Sequence, residues 1–301
     1  MTTNDATGPV VYVVATPIGN LDDLTPRARK TLAGVDLIAA EDTRHARKLL
    51  SHLGIQGKRL VSYQDHGEQE RAESLVRQLQ DEGLSLALVS DAGTPCVSDP
   101  GYRLVAAAKA AGIRVHPIPG PSALTTLVSA SGLPSDRLLF VGFLPNRAER
   151  QRAEIESWAG VRASVVFFEA TRRLARTLGV IRDVYPEARV AVGRELTKLY
   201  EEIVTVPIDE ALSWSLGHAT MKGEASVMVD LGSLQAGRRT GGGLAVGEAE
   251  APLDADGLVR LAADDFLQGA SLKDLLRKYR DAGFRRADLY NLLLDAKNRA
   301  Q

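Results

Sequence analysis

Short apolar runs alternate with amphipathic stretches over the first 120 residues. Val10 to Ala15 (VVYVVA) is apolar and β-branched, the pattern of a strand buried on both faces. It stops at the turn Thr16-Pro17-Ile18-Gly19-Asn20. Thr25-Pro26 then opens a helix that runs to about Leu32, with a hydroxyl cap and proline at the first helical position. Asp36 to Ala40 reads as a second strand, and a helix follows its end to about Leu53. Leu60 to Tyr63 is a short strand, and Glu70 to Glu82 a helix closed by Gly83. Leu84 to Val89 (LSLALV) is the next buried strand. After it come a helix over Tyr102 to Ala111, ending at Gly112, and a strand over Arg114 to Ile118.

This alternation predicts an α/β fold with a mostly parallel sheet covered by helices on both faces. Three strand ends carry polar clusters: TPIGN, Glu41-Asp42-Thr43-Arg44 and Ser90 to Gly101 (SDAGTPCVSDPG). In such sheets small ligands sit at strand ends, and three polar ends in register predict one shared cleft. Pro117 to Ser122 (PIPGPS) reads as a hinge, followed by a helix over Ala123 to Ser131.

A different rhythm follows. Strands are expected at Leu139 to Gly142, Ser164 to Glu169, Arg189 to Arg194, Glu201 to Pro207 and Ser226 to Leu231. Few helices separate them, which predicts a mixed or largely antiparallel sheet. Residues 235–255 are rich in Gly, Ala and Glu, as in a flexible linker. The tail is helical: Asp256 to Gln268, a helix capped by Ser271 with Asp274 three residues on and ending near Gly283, and Ala287 to Asn298. The expected organisation is therefore a first α/β domain over 10–119, a second with a mixed sheet over 120–234, the linker, and a helix-turn-helix-like tail over 256–301.

Composition narrows the chemistry. The net charge is −1, so contact with nucleic acid must come from local basic patches. The single cysteine, Cys96, excludes an internal disulfide and a thiolate zinc cluster within one chain, and it fits a reducing cytoplasm. No leader pattern and no apolar run long enough for a membrane helix stand out. No GxGxxG follows the first strand and no GxxxxGK[ST] or GxSxG occurs, which disfavours dinucleotide oxidoreductases, P-loop nucleotidases and α/β-hydrolases.

Each polar cluster has two readings. Glu41, Asp42 and Arg44 can orient a hydroxyl or clamp a phosphate, or simply favour a helix N-terminus. Asp65-His66 offers a base near neutral pH, or an ordinary hydrogen-bonding pair. His45 and His52 lie on one helix with no acid or cysteine to complete a metal set, so no metal is expected. Asp91 can accept bonds from a ribose or amino group, or cap the Gly93 turn. Ser122 and Ala123 start a helix whose amides favour an anionic group, or Ser122 is a plain cap. Arg147 to Arg152 and Arg172 to Arg176 are ordinary helix faces that would become phosphate contacts in an RNA-binding protein. Lys273, Arg277, Arg285 and Arg286 surround the middle junction of the tail.

The ordered series is more specific than any member. TPIGNLDDLTPRA, AEDTRHARKLL, VSDAGTPCVSDPG, PIPGPSA, GLPSDRLLFVGFLP, FFEATRRL, RELTKLYEE and KGE together resemble the tetrapyrrole-methylase-like, or class III, methyltransferases that use S-adenosylmethionine. Over about Val10 to Gly232 the chain looks most like the ribosomal RNA small subunit methyltransferase I family within that superfamily. The resemblance implies 2′-O-methylation of a cytidine in 16S ribosomal RNA, the small ribosomal subunit as partner, a homodimer, and a cofactor folded into an interdomain cleft. It implies a cofactor shell of Pro17, Asp91, Gly93, Thr94, Val97, Ser122, Ala123, Phe168, Leu196 and the turn Lys222-Gly223-Glu224-Ala225. Glu41, Asp42, Asp65, His66 and Glu195 are the candidate proton acceptors or hydroxyl orienters. Arg44 and Lys198 are the candidates for the target phosphate. The chain departs from the pattern at Cys96-Val97-Ser98, where relatives often carry a bulkier apolar or amide residue.

Two other functions stay open on the residues. One is methylation of a tetrapyrrole, against which the basic tail and RELTK argue. The other is a catalytically silent RNA-binding assembly protein, which would bind no S-adenosylmethionine.

Overall fold

The computed structural model describes residues 8–64, 67–218, 223–233, 255–267, 271–279, 284 and 286–299, with some helical side chains of the tail excepted. Two compact units are present, Met1–Gln235 and Ala236–Gln301.

The first unit holds two five-stranded sheets. β1 (Val10–Val14), β2 (Leu37–Ala40), β3 (Arg59–Ser62), β4 (Ser85–Val89) and β5 (Arg114–Ile118) form an all-parallel sheet in the order β3-β2-β4-β1-β5. Helices α1 (Pro26–Gly34), α2 (Thr43–His52), α3 (Glu68–Glu82) and α4 (Tyr102–Ala110) connect the strands. Two separate apolar clusters, around Leu86 and Leu104 and around Leu32 and Ile38, cover the sheet as the buried strand runs require. Thr25 caps α1 by accepting the Ala28 amide at 3.1 Å.

From β1 the chain winds to one side through β2 and β3. It returns to place β4 beside β1 and then crosses to β5 on the other side. The reversal between β4 and β1 is the switch point at which an open α/β sheet leaves a crevice.

Helix α5 (Ala123–Ala130) leads to the second sheet: β6 (Leu138–Phe143), β7 (Ser164–Ala170), β8 (Arg189–Arg194), β9 (Glu202–Pro207) and β10 (Glu224–Asp230), in the order β6-β7-β10-β8-β9. Only β6 and β7 pair in parallel; the other pairings are antiparallel, so the sheet is mixed. The second half carries more helix than its sequence suggested: α6 (Ala148–Glu156), α7 (Thr171–Val184) and α8 (Ile208–Gly217). α8 was not expected. Its available signal was the acidic first turn, Asp209-Glu210, directly after Pro207.

Strand direction decides what this sheet presents. β6, β7 and β8 end, and β10 begins, at the same edge. Phe143, Thr171, Glu195 and Glu224 are therefore brought to one edge from four separate parts of the chain.

In the tail unit, α9 (Ala255–Leu267), α10 (Leu272–Lys278) and α11 (Arg286–Arg299) enclose Leu258, Ala262, Leu275, Leu293 and Ala296. Helix α10 stops at Lys278 rather than near Gly283. Tyr279 turns inward there and its hydroxyl donates to Asp265 Oδ2 at 2.8 Å. Ser271 caps α10, accepting the Asp274 amide at 3.3 Å and donating to Asp274 Oδ2 at 2.5 Å. Ser271→Ala is expected to cost the tail about 1 kcal/mol. Faster hydrogen exchange at the Asp274 amide would register it.

Candidate functional site

Where the ends of the first sheet's strands meet the second sheet, the first unit holds a cavity of about 340 Å³. Its floor is the SDAGTP loop after β4. Thr16 and Gly93 form an isolated antiparallel bridge, with N–H···O distances of 2.8 and 3.0 Å, and the Thr16 hydroxyl donates to Ser90 O at 3.2 Å. This lock holds the ends of β1 and β4 together at the switch point. Gly93 has φ +87°, and a Cβ there would stand 3.3 Å from Ile18 Cγ2. Glycine is needed because the loop turns left-handed where it also supplies cavity wall.

Cys96 and Ser98 are left-handed in the same segment, and Glu195 and Thr197 are left-handed in the RELTK loop across the cavity. Four non-glycine residues with positive φ therefore sit in two loops that flank one cavity. Each costs of order 1–3 kcal/mol, and such strain concentrates at functional sites. Short bonds hold the RELTK loop in shape: Glu201 Oε2 accepts the Thr197 amide at 2.6 Å, and Lys198 Nζ donates to Glu195 Oε1 at 3.0 Å. The two halves interlock through small residues. A Cβ on Gly19 would lie 2.4 Å from Lys198 Cγ and 2.9 Å from Thr197 Oγ1. Gly19→Ala is expected to push RELTK off the TPIGN turn and lower ligand affinity at least tenfold by calorimetry, with little change in melting temperature.

The walls are mixed. Phe168 packs edge-on against Phe140 at 5.0 Å and Phe143 at 5.5 Å, and with Ile18, Val97 and Leu196 gives an apolar side. Phe143 reaches the cavity because the β6–β7 register shifts between Phe140 and Phe143, where Gly142 has φ +67°. The acids Glu41, Asp91, Asp99, Glu195 and Glu224 face the same space, with Lys198 as a cation. At the end opposite in charge, Ser122 and Ala123 open α5. The Ser122 hydroxyl makes no cap bond, so the plain-cap alternative fails, and both Ser122 and Ala123 line the cavity.

Asp91, Gly93, Thr94, Val97, Ser122, Ala123, Phe168, Leu196, Glu224 and Ala225 all line this cavity, although they come from five chain segments. Pro17 does not; its neighbour Ile18 takes that place. Gly223 stands just outside with φ +125°, and a Cβ there would meet Glu195 Oε1 at 2.5 Å. Asp65, His66, Lys222 and Arg285 lie outside the described residues, as do the side chains of Lys273, Arg277 and Arg286.

Asp42 does not fit the part of proton acceptor. It caps α2, accepting the Arg44 amide at 2.7 Å, and holds the Arg44 guanidinium with both oxygens, the shortest contact being 2.6 Å. The guanidinium and amide together hold its carboxyl well below the usual carboxylate range. The same pairing takes up one side of Arg44, the proposed phosphate clamp. Its guanidinium is otherwise exposed. The expectation that no acid joins a histidine is also overturned. Asp91 Oδ2 lies 2.7 Å from His45 Nδ1, and Asp42, His45 and Asp91 offer ligand atoms within 4.8 Å. Sequence spacing could not show this, because Asp91 arrives from the neighbouring strand β4. A hydrogen bond between Asp91 and His45 and the pairing of Asp42 with Arg44 account for the cluster.

Arg147 and Arg172 are exposed at the starts of α6 and α7, on the same sheet edge as Phe143 and Phe168. Arg173 is different. It is mostly covered, stands 3.2 Å from buried Glu169, and donates to Leu144 O, Pro145 O and Asn146 Oδ1. The sequence also passed over Ser98, Asp99, Phe143 and Gly193, which line the cavity. The glycine inside β6 was the signal for Phe143. Asp99 lies in SDAGTPCVSDPG, where nothing in the sequence distinguishes it from Asp91.

Asp99 is half-buried. Burial pushes its carboxyl up to about 6, reinforced by the charges of Glu41, Asp91 and Glu224, while a hydrogen bond with Ser90 opposes the shift. The nearby Cys96 thiol is pushed up to about 11, chiefly by burial, so it is an inert packing group.

Comparisons with known proteins identify the lineage and the fold. Residues 10–212 match the family model for tetrapyrrole (corrin/porphyrin) methylases. The ribosomal RNA small subunit methyltransferase I of Escherichia coli O157:H7 is 50% identical over 205 residues, covering 68% of this chain and 71% of that protein. Its namesake from Mesorhizobium japonicum is 42% identical over 291 residues, covering 96% and 93%. Among solved structures, a cobalt precorrin-4 methyltransferase superposes with a TM-score of 0.55 at 13% identity, over 74% of this chain and 95% of that one. A uroporphyrin-III C-methyltransferase from Thermus thermophilus, complexed with S-adenosylhomocysteine, gives 0.50 at 18% over 75% and 99%. The structural likenesses carry the fold; the sequence identities, one of them spanning nearly the whole chain, carry the lineage. The chain belongs to the tetrapyrrole methylases and, within them, to the ribosomal RNA small subunit methyltransferase I family.

Proposed function

We propose that this protein transfers a methyl group from S-adenosylmethionine to the 2′-hydroxyl of a cytidine in 16S ribosomal RNA. The observation that carries the reading is the cavity at the β1–β4 switch point, enclosed by two strained loops, in a chain of this family.

The cavity residues fit the methyl donor. A volume of about 340 Å³ suits a small cofactor. Phe168, Leu196 and Ile18 offer an apolar face for an adenine, and Thr94 and the Gly93 backbone a close-fitting floor. Asp91 is placed for ribose or amino groups, and the α5 N-terminus for a carboxylate. When bound, the donor supplies an already activated methyl. The protein's own work is then to position the acceptor and to remove its proton. The acidic wall favours a cation and the developing hydroxyl-to-oxyanion chemistry needs an acceptor there.

Arg147, Arg172 and Lys198 share one edge of the second sheet, and this reading gives them the phosphates that flank the target. Leu199 and Tyr200, 88% and 72% exposed beside Lys198, would meet an unstacked base. Ala substitution of Arg147 and Arg172 is expected to raise KM for RNA and to lower the salt slope of binding by about 1 per lost phosphate contact. A ribosomal substrate places the reaction in the cytoplasm, and the family resemblance implies a homodimer, which sedimentation tests. Among the described residues no helix is long and apolar enough to cross a membrane.

The reading is tested by incubating the protein with methyl-labelled S-adenosylmethionine and either small ribosomal subunits or a uroporphyrinogen. Label in RNA is expected. Label in the tetrapyrrole alone, or no binding of S-adenosylhomocysteine by calorimetry, would sink it.

A further inference from the structure

We propose that Asp99 takes the proton from the ribose hydroxyl as it attacks. This deepens the reading above and rests on it. The atoms balance as follows: the ribose O2′ forms a bond to the methyl carbon, the methyl–sulfur bond breaks, and its electron pair stays on sulfur. The sulfonium becomes a neutral thioether, and the hydroxyl proton passes to the Asp99 carboxylate.

Geometry singles Asp99 out from the other acids of the cavity. Asp42 is outside it and bound to Arg44. Asp91 is held by His45 at 2.7 Å and by the Asp42 amide at 3.0 Å. Glu195 is held by Lys198 at 3.0 Å. Glu41 Oε2 faces the Asp91 amide at 3.4 Å, and Glu224 is exposed at the start of β10. Asp99 instead lies half-buried in the wall, one residue after left-handed Ser98, with Ser90 as its hydrogen-bond partner. Ser98 lies close against β6 of the second sheet: a Cβ on Gly142 would stand 2.7 Å from Ser98 Oγ. The loop that carries Asp99 is thereby set between the two sheets, where donor and acceptor must meet.

Its electrostatic surroundings suit the task. The groups that face it are Glu41 from the β2–α2 loop, Asp91 and Cys96 from its own loop, and Glu224 from β10; Glu195 and Lys198 line the same cavity as an ion pair. Negative neighbours and burial raise the carboxyl to about 6. It is ionised at neutral pH yet more basic than an ordinary aspartate, which is what a general base near pH 7 requires.

The same shift has a cost in stability, and it supplies a readout that needs no catalysis. A carboxyl raised in the folded state favours folding below its unfolded value and loses that contribution as pH rises through about 6. Asp99→Asn should therefore raise the melting temperature at pH 7.5 relative to the parent, with the gain much smaller at pH 4.

The test measures single-turnover methyl transfer to small subunits from about pH 5 to 8, with S-adenosylhomocysteine affinity and melting curves alongside. For the parent, the rate should rise tenfold per pH unit below about 6 and level above it. Asp99→Asn should lose at least 100-fold in rate and the acidic limb, with affinity within twofold. Asp99→Glu, which keeps the carboxylate, should retain the limb at a lower rate, and carries the test if the amide does not fold. An Asn variant within threefold of the parent overturns the proposal. So does a tenfold loss of S-adenosylhomocysteine affinity, which would make Asp99 a donor ligand. If the parent itself transfers no methyl to RNA, the functional reading falls, and the proposal with it.

Discussion

Gly93→Val is expected to abolish binding of S-adenosylhomocysteine, with affinity falling at least 100-fold by calorimetry. Three effects add at this position. The residue has φ +87°, a backbone region that costs a side-chain-bearing residue about 1–2 kcal/mol and a β-branched one more. Its amide and carbonyl both pair with Thr16, so relaxing the backbone would break the bridge that joins β1 to β4. A first side-chain carbon already stands 3.3 Å from Ile18, and two further methyls must go into the cavity. The fold itself should survive, because the two core clusters of that sheet do not include Gly93. Retained circular dichroism with lost binding is the expected pair of results. Undiminished binding would remove the SDAGTP loop from the cofactor site.

Arg173→Ala is expected to destabilise the second half of the first unit by about 3 kcal/mol. Glu169 is 1% exposed and lies between Arg173, the Thr177 hydroxyl at 2.7 Å and its own chain neighbour, the Ala170 amide, at 2.9 Å. Removing the guanidinium leaves a buried carboxylate without its counter-charge. It also frees the 144–146 segment, whose carbonyls Arg173 gathers. Arg172→Ala, on an exposed neighbour, should change stability by less than about 0.5 kcal/mol. Urea midpoints of the two variants, measured side by side, separate a structural arginine from a surface one. Equal midpoints would show that the buried pair contributes nothing.

That contrast shows where the sequence was informative. The inner strands β1, β2 and β4 were legible because their runs, VVYVV, LIAA and SLALV, are mostly apolar and buried, whereas the outer β3 (RLVS) and β5 (RVHPI) are partly exposed and mixed. Their polar ends pointed to a cleft because parallel strands finish on one edge. The second sheet was harder. Its edge strands β6 and β9 are half-buried, and α8 follows a proline with a short, mixed pattern. Two neighbouring arginines, Arg172 and Arg173, are indistinguishable in sequence; only the 100° step between helix positions sends one to Glu169 and the other to solvent. Asp42 and Asp91 likewise read as equivalent acids. Packing of β4 beside β2 gives one to Arg44 and the other to His45 and the cavity. Asp99 was hidden for a related reason: its character comes from Glu41 and Glu224, which lie 58 and 125 positions away along the chain.

The most direct test of the central claim is the chemical identity of the methylated nucleotide. Small subunits are incubated with the protein and labelled S-adenosylmethionine, and the 16S ribosomal RNA is digested to nucleosides and resolved by mass spectrometry. The label should appear in 2′-O-methylcytidine and be absent when the Gly93→Val protein is used. Label on a base, on another ribose, or on no RNA at all would contradict the account.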